Sequence, residues 1–163
     1  MNINKNNWGI HAGSKGEAID LFLNYNLIAV GWERLGDVQG LETREEIKEL
    51  FIKYYGSGYH YRNKYTIGHA AGTLYRFIYE MKIKDTVIFY SLKDKKYNFA
   101  EVIGDYMYQP SIDSKYPNQR QIRLLNRIPR KEITLCIQNS MNAGVALFKL
   151  DRCEKEILKF LTG

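Results

Sequence analysis

Cysteine is scarce in this sequence: only Cys136 and Cys153 occur among 163 residues. Two cysteines do not form a disulfide framework, and the apolar neighbours of Cys136 indicate a small buried side chain. No apolar run approaches the roughly 20 residues that cross a membrane, and no stretch resembles a signal peptide. We therefore expect a cytoplasmic protein with no membrane-spanning segment.

The motifs of common catalytic and cofactor sites are also missing. The sequence contains no G-x-x-x-x-G-K-[S/T], G-x-G-x-x-G or G-x-S-x-G motif. Its three histidines, His11, His60 and His69, do not have metal-ligand spacing. The Glu-x-Lys pairs at 46–48 and 80–82 fall on predicted helices, where a nuclease metal site is not expected. We therefore expect a binding domain without enzyme activity, cofactor or metal, although an unrecognised enzyme stays an alternative.

Positive charge and tyrosine are prominent in what the sequence does contain. The net charge is +6 and the pI is near 9.2, which favours an anionic partner. Aromatic residues make up 13% of the chain, and thirteen residues are tyrosine, which suits a stacking surface as well as a core. The length and the 45% apolar share fit one domain over residues 1–163, which a longer protein could carry.

The hydrophobic pattern predicts an α+β fold. Helical spacing and capping signals predict helices at 15–26, 42–55, 69–82 and 152–161, with a short helical turn in 130–138. Apolar runs predict strands at 8–13, 27–32, 86–92, 97–109, 120–128 and 144–150. This order ends in a series of antiparallel strands, so we expect a small, curved, mostly antiparallel β-barrel flanked by helices.

Three segments could bind an anion. Residues 115–131 carry six basic residues and no acid, the loop 59–65 alternates tyrosines with cations, and residues 13–16 precede the first predicted helix. A solvated strand, a solvated loop and a plain helix cap are the alternatives. The residues that we expect to contact a nucleic-acid backbone are Lys15, Arg62, Lys64, Lys93, Arg120, Arg123 and Arg127.

Trp32 occupies an unusual position for a core residue. It ends the second predicted strand within "IAVGWERLGD", where Gly31, Gly36 and charged residues surround it. Glycines allow the backbone to approach a ligand closely, and Asp37 could accept a hydrogen bond from an exocyclic amine. Trp32 is therefore a candidate for stacking on a ligand, and packing against a neighbouring helix is the alternative. Trp8, at the start of the first strand, is predicted to be structural.

Three stretches of the chain resemble a known superfamily. They are "WGIHAGSKGEAIDLFLNYNLIAVGW", "LYRFIYEMKIKDTVIFYSLKDKKYNFAEVIGDYMYQP" and "QIRLLNRIPRKEI". The order of these stretches and their pattern of residues resemble the EVE and YTH branch of the PUA-like superfamily. In particular, they resemble N-terminal modules of modification-dependent restriction systems of the McrB and Mrr type. The resemblance implies a curved β-barrel flanked by helices and a pocket that takes a flipped, modified base between aromatic side chains.

The resemblance also implies roles for individual residues. Ser14 matches a serine after the first strand, and Trp32 matches a cage tryptophan after the first helix. Tyr90 and Ser91 match a second wall. The third wall, where YTH modules carry tryptophan, has Tyr106, Tyr108 and Tyr116 as candidates, and Tyr116 is the one that we expect in the pocket. The implied function is recognition of DNA with a modified base, for a nuclease or NTPase carried by another domain or subunit. An RNA-binding reader of the same fold, or a domain that binds another ligand or a protein, is the alternative.

Overall fold

The computed structural model describes residues 5–58 and 64–162, with the backbone only at Lys64. The strands are β1 (Asn7–Ile10), β2 (Leu27–Val30), β3 (Thr86–Ser91), β4 (Lys96–Val102), β5 (Met107–Tyr108), β6 (Asn118–Pro129) and β7 (Leu147–Lys149). The helices are α1 (Ile19–Tyr25), α2 (Arg44–Tyr55), α3 (Lys64–Tyr75), α4 (Leu135–Ser140) and α5 (Glu154–Thr162). A π-helical turn, Arg76–Glu80, continues α3.

The strands form one strongly curled mixed sheet in the order β2-β6-β4-β3-β1-β7, and β5 pairs with β6. β1 runs parallel to β3, and the other strand pairs of the described chain are antiparallel. The predicted α+β class is therefore confirmed, but the sheet is a half-barrel rather than a closed barrel. β2 and β7 lie at the two ends of the strand order, and they are not paired with each other in the part of the chain described.

A bulge interrupts the long strand β6. The register with β4 shifts at Phe99/Ala100, so that Leu125 has no partner residue opposite it. Before the bulge Arg123 lies opposite Glu101, and after it Arg127 lies opposite Asn98. Since Glu101 and Asn98 are three residues apart on β4, their side chains point to opposite faces of the sheet. The bulge therefore places Arg123 and Arg127 on opposite faces.

Each face of the sheet has its own hydrophobic core, because alternate residues of a strand point to opposite sides. Helices α1, α2 and α3 cover the larger core, whose large side chains include Trp8, Ile10, Phe22, Ile28, Phe51, Phe77 and Phe89. Helices α4 and α5 cover the smaller core, which includes Ile88, Phe99, Ile128, Ile137 and Ile157. Trp8 is fully buried and its indole Nε1 donates to Asp85 Oδ2 at 2.9 Å, so the predicted structural role of Trp8 is confirmed.

The cysteines differ from the prediction. Cys136 is not a small buried free residue: it is half-buried and forms a disulfide with Cys153, which lies 17 residues further along the chain. The bond joins α4 to the 3₁₀ turn Asp151–Cys153 that leads into α5. The two elements that cover the smaller core are thus covalently linked, a pairing that two isolated cysteines in a sequence do not reveal. None of the described helices has the length and apolar character needed to span a bilayer.

Candidate functional site

A cavity of about 600 Å³ opens where β1 and β2 end and β7 begins. We call it the site cavity. The side chains that give it chemical character are His11, Ser14, Trp32, Glu33, Tyr55 and Tyr116, and Gly13, residues 29–31 and residues 143–146 complete the lining. Three aromatic side chains from separate segments and the His11 imidazole therefore meet around one space.

Trp32 lies in a backbone conformation that bulky residues rarely adopt. Its φ of 63° and ψ of 49° are in the left-handed region, which costs a residue with a side chain about 1–3 kcal/mol. The half-buried indole packs edge-to-face against Phe51 of α2, with ring centroids 5.3 Å apart and an interplanar angle of 82°. The strained backbone places the indole at the cavity, and the edge-to-face contact with Phe51 holds the indole ring in position. Such strain is typical of functional positions.

Tyr55 extends this aromatic row from the last position of α2. Its ring centroid lies 5.8 Å from that of Phe51. The Arg34 guanidinium lies over the Tyr55 ring at 5.1 Å, and the Arg34 backbone N–H donates to the Tyr55 hydroxyl at 3.2 Å. A cation above the ring and a donor at its hydroxyl hold Tyr55 beside the segment that carries Trp32.

Tyr116 is anchored to the loop between β1 and α1. Its hydroxyl donates to Glu17 Oε1 at 2.7 Å, and the backbone N–H of Lys15 donates to Glu17 Oε2 at 2.8 Å. The hydrogen bond from Tyr116 holds the pKa of the Glu17 carboxyl below its usual range. Burial, together with Glu17, raises the pKa of Tyr116. A Cβ on Gly31 would lie 3.9 Å from the Tyr116 ring, an ordinary van der Waals distance, so the Gly31 backbone and that ring are close neighbours at the cavity.

His11 connects the end of β1 to the loop before β7. Its Nε2 lies 2.7 Å from the carbonyl oxygen of Ala143, and since a carbonyl only accepts, Nε2 carries the proton in this contact. The His11 backbone N–H donates to the carbonyl of Ala146 at 2.9 Å. The ring also packs against Phe148, with centroids 5.2 Å apart. His11 thereby fixes the position of residues 143–146 at the cavity.

Three of the six predicted pocket residues line the site cavity, namely Ser14, Trp32 and Tyr116. The other three, Asp37, Tyr90 and Ser91, do not line this cavity. Asp37 is exposed and accepts the backbone N–H of Gln39 at 3.0 Å, as in a local turn. Ser91 is 1% exposed on β3, and Tyr90 lines a different cavity.

Arg120 does not contact a nucleic-acid backbone, because it is only 2% exposed. Its Nε donates to the Gly104 carbonyl at 3.0 Å, and its Nη1 donates to the carbonyls of Phe77 and Met81 at 3.1 and 2.6 Å. Burial lowers the pKa of the guanidinium, which nevertheless stays charged. Arg120 therefore joins β6 to the π-helical turn and to the chain after β4.

Within the described part of the chain, the other predicted cations do not form a continuous row. Three have carboxylate partners: Arg123 with Glu101 at 2.8 Å, Lys93 with Asp20 at 2.6 Å, and Arg127 with Asp94. Arg127 also donates to Asn98 Oδ1 at 2.6 Å. Lys15 is exposed. Arg62 and the Lys64 side chain, like His60, lie outside the described residues.

Sequence reasoning missed several residues of the site cavity. They are His11, Glu33, Tyr55 and the segment 143–146. One signal was present: His11 lies in the first predicted strand, three residues before Ser14, and Glu33 directly follows Trp32 at the end of the second. Tyr55 and residues 143–146 gave no such signal, because only the folded chain brings them to those strand ends. Across residues 5–58 and 64–162 no group of three or more His, Cys, Asp or Glu residues is placed to hold a metal ion.

These observations define an α+β domain with a curled half-barrel sheet and an aromatic cavity at the ends of its first two strands. The chain belongs to a family described as a domain of unknown function (DUF8426), whose profile matches residues 8–150. The matched segment contains every residue that lines the site cavity. No curated protein and no solved structure shows a significant match to the chain.

Proposed function

We propose that this protein is a DNA-binding specificity domain that recognises a modified base by accepting it, flipped out of the duplex, into the site cavity. The observation that carries the proposal is the presentation of Trp32, in its strained backbone conformation, beside Tyr55, Tyr116 and His11. The resemblance of the sequence to the EVE and YTH branch of the PUA-like superfamily supports the same function.

The aromatic lining suits a planar ring. Stacking of a base on an aromatic side chain contributes about 1–3 kcal/mol, which offsets the few kcal/mol that flipping costs. The volume of about 600 Å³ lies within the range of about 300–1,000 Å³ that small-ligand sites occupy. The cavity is therefore large enough for a base that carries an added group.

The polar groups of the cavity suit the edge of a base better than a phosphate. Ser14 can donate or accept a hydrogen bond, and the Glu33 carboxylate accepts only. Carboxylates accept hydrogen bonds from exocyclic amines such as cytosine N4. Glu33 also repels phosphate, so the sugar–phosphate chain is expected to stay outside the cavity.

The domain would supply recognition and no chemistry of its own. In this proposal it directs a nuclease or NTPase domain or subunit of a restriction system to modified DNA in the cytoplasm. A reducing cytoplasm would act on the disulfide between Cys136 and Cys153, which itself does not line the site cavity. Binding through the site cavity is therefore not expected to require the disulfide.

The test is a titration of labelled duplexes that differ at one base. Fluorescence anisotropy would compare unmodified DNA with N6-methyladenine, 5-methylcytosine and 5-hydroxymethylcytosine duplexes. Trp32→Asn is the informative variant, because asparagine tolerates the left-handed conformation while removing the ring. Tyr25→Ala removes an exposed aromatic outside the site cavity and is the matched control.

We expect one modified duplex to bind more tightly than the others. Trp32→Asn should weaken that complex about 5- to 150-fold, the equivalent of 1–3 kcal/mol, and Tyr25→Ala should leave it unchanged. Equal affinity for all duplexes, unaffected by Trp32→Asn, would contradict the proposal. Tighter binding of a single-stranded RNA, lost in Trp32→Asn, would instead establish an RNA reader.

A further inference from the structure

A second cavity, of about 610 Å³, lies beside the β3–β4 hairpin and the start of the 3₁₀ turn after β6. We call it the Tyr90 groove. Its lining includes Tyr90 and three exposed cations, Lys95, Arg130 and Lys131. Arg130 and Lys131 end the basic segment 115–131 that the sequence pointed to, whereas Lys95 was not singled out.

The backbone fixes two of these cations relative to each other. The Arg130 backbone N–H donates to the carbonyl of Lys95 at 2.9 Å. Lys95 has a φ of 56°, which turns the hairpin tightly at that position. The Arg130 guanidinium lies 5.9 Å from the Tyr90 ring centroid, and the Tyr90 ring packs against Tyr97 with centroids 4.7 Å apart. A guanidinium beside an aromatic face keeps its N–H groups available for an anion.

The groove carries uncompensated positive charge. Asp94 is the one acid among the described residues that line it, and Arg127 is already its ion-pair partner. Burial disfavours the ionised form of Asp94, but hydrogen bonding from Ser91 and the charge of Arg127 outweigh it and lower the pKa. Among the described residues, no carboxylate lies within ion-pair distance of Lys95, Arg130 or Lys131.

The groove is physically connected to the site cavity through the tip of the hairpin. A Cβ on Gly16 would lie 3.1 Å from Leu92 Cδ1, so Leu92 packs directly on the loop between β1 and α1. Lys93, the next residue of the hairpin, pairs with Asp20 of α1. The same loop contributes Ser14 to the site cavity, and Leu92 lines the Tyr90 groove. The packing of Leu92 on this loop therefore connects the lining of the Tyr90 groove to the lining of the site cavity.

We infer that the Tyr90 groove binds the phosphodiester backbone of the DNA whose flipped base enters the site cavity, with Lys95, Arg130 and Lys131 each contacting a phosphate. This inference rests on the proposed function and names the surface that positions the DNA. The three groove cations take the role that the sequence predicted for the arginines of β6. Arg120 is buried, and Arg123 and Arg127 lie on opposite faces of the sheet. Phosphate contacts position a protein without reading sequence.

The test measures the salt dependence of DNA binding. The triple variant Lys95→Gln, Arg130→Gln, Lys131→Gln is compared with a control triple variant, Lys82→Gln, Arg152→Gln, Lys155→Gln. The control residues are exposed and line neither cavity. Each variant lowers the formal net charge from +6 by three, to +3. Modified and unmodified duplexes are titrated between 50 and 200 mM salt.

Three phosphate contacts on duplex DNA contribute about −2.7 to the slope of log K against log salt. Over this salt range the wild type and the control should therefore lose about 40-fold more affinity than the groove variant. The ratio of affinities for modified and unmodified DNA should be unchanged in the groove variant. Equal slopes in the two triple variants would overturn the inference, because net charge alone would then explain binding.

The two proposals fail in different ways. If the wild type binds all duplexes alike while the groove variant has the shallower slope, the Tyr90 groove binds the DNA backbone and the proposal of base recognition is wrong. If one modified duplex is preferred but the slope is the same in both triple variants, the proposal of base recognition holds and the inference of backbone binding by the Tyr90 groove is wrong. If the wild type binds no duplex, both are overturned.

Discussion

Replacing Arg120 by methionine tests whether this arginine is a structural residue. Methionine retains much of the volume of the side chain but removes the charge and every N–H donor of the guanidinium. The carbonyls of Gly104, Phe77 and Met81 then lose their partner. At about 1–3 kcal/mol for each unsatisfied acceptor, the loss sums to about 3–9 kcal/mol. Relief from burying a charge offsets part of this, so we expect a net loss of about 3–5 kcal/mol.

Urea unfolding followed by circular dichroism measures this loss. At an m-value of about 2 kcal/mol per molar, the midpoint should fall by about 2 M. Arg123→Met is the matched control on the same strand, since its ion pair with Glu101 is exposed and worth at most about 1 kcal/mol. An Arg120→Met protein that unfolds at the wild-type midpoint but binds DNA poorly would refute the reasoning.

Two further predictions concern the Tyr116–Glu17 contact and the disulfide. Tyr116→Phe should raise the pKa of Glu17 toward its ordinary value of 4.5 in an NMR titration of the carboxyl carbon, and an unchanged pKa would contradict the contact. Because this hydrogen bond favours the carboxylate, its stabilisation is present at neutral pH and is lost as the pH falls through the folded-state pKa. Separately, replacing both Cys136 and Cys153 by serine should lower the free energy of unfolding by about 3 kcal/mol, given their separation of 17 residues. Equal unfolding midpoints of the oxidised wild type and the double variant would contradict this stabilisation.

Local patterns predicted the elements more accurately than their arrangement. The helix predicted at 42–55 is α2, and the strand predicted at 120–128 lies within β6. The helix predicted at 15–26 begins only at Ile19, because Gly13 and Gly16 have positive φ values that interrupt a helix. The parallel pairing of β1 with β3 depends on residues almost 80 positions apart, which no local pattern encodes.

The basic residues illustrate why the candidate site was predicted only in part. Arg120 shares its strand parity with Ile122 and Leu124, so alternation already pointed its side chain inward. Arg123 and Arg127 share a parity too, but the bulge at Leu125 reverses it, and a bulge leaves no clear mark in the sequence. The resemblance alone pointed to Tyr116, whereas the place of Ser14 before the first predicted helix and of Trp32 at the end of the second predicted strand had already made them candidates.

The placement of the two tryptophans gives the protein an internal optical reporter. Trp8 is sealed in the larger core with its indole bonded to Asp85, so its emission should respond to unfolding and not to ligands. Trp32 lines the site cavity, where a stacked ring would quench its fluorescence. Since the chain contains no other tryptophan, unlabelled nucleosides and oligonucleotides can be screened by fluorescence quenching alone. A Trp8→Phe protein would report from the cavity without background.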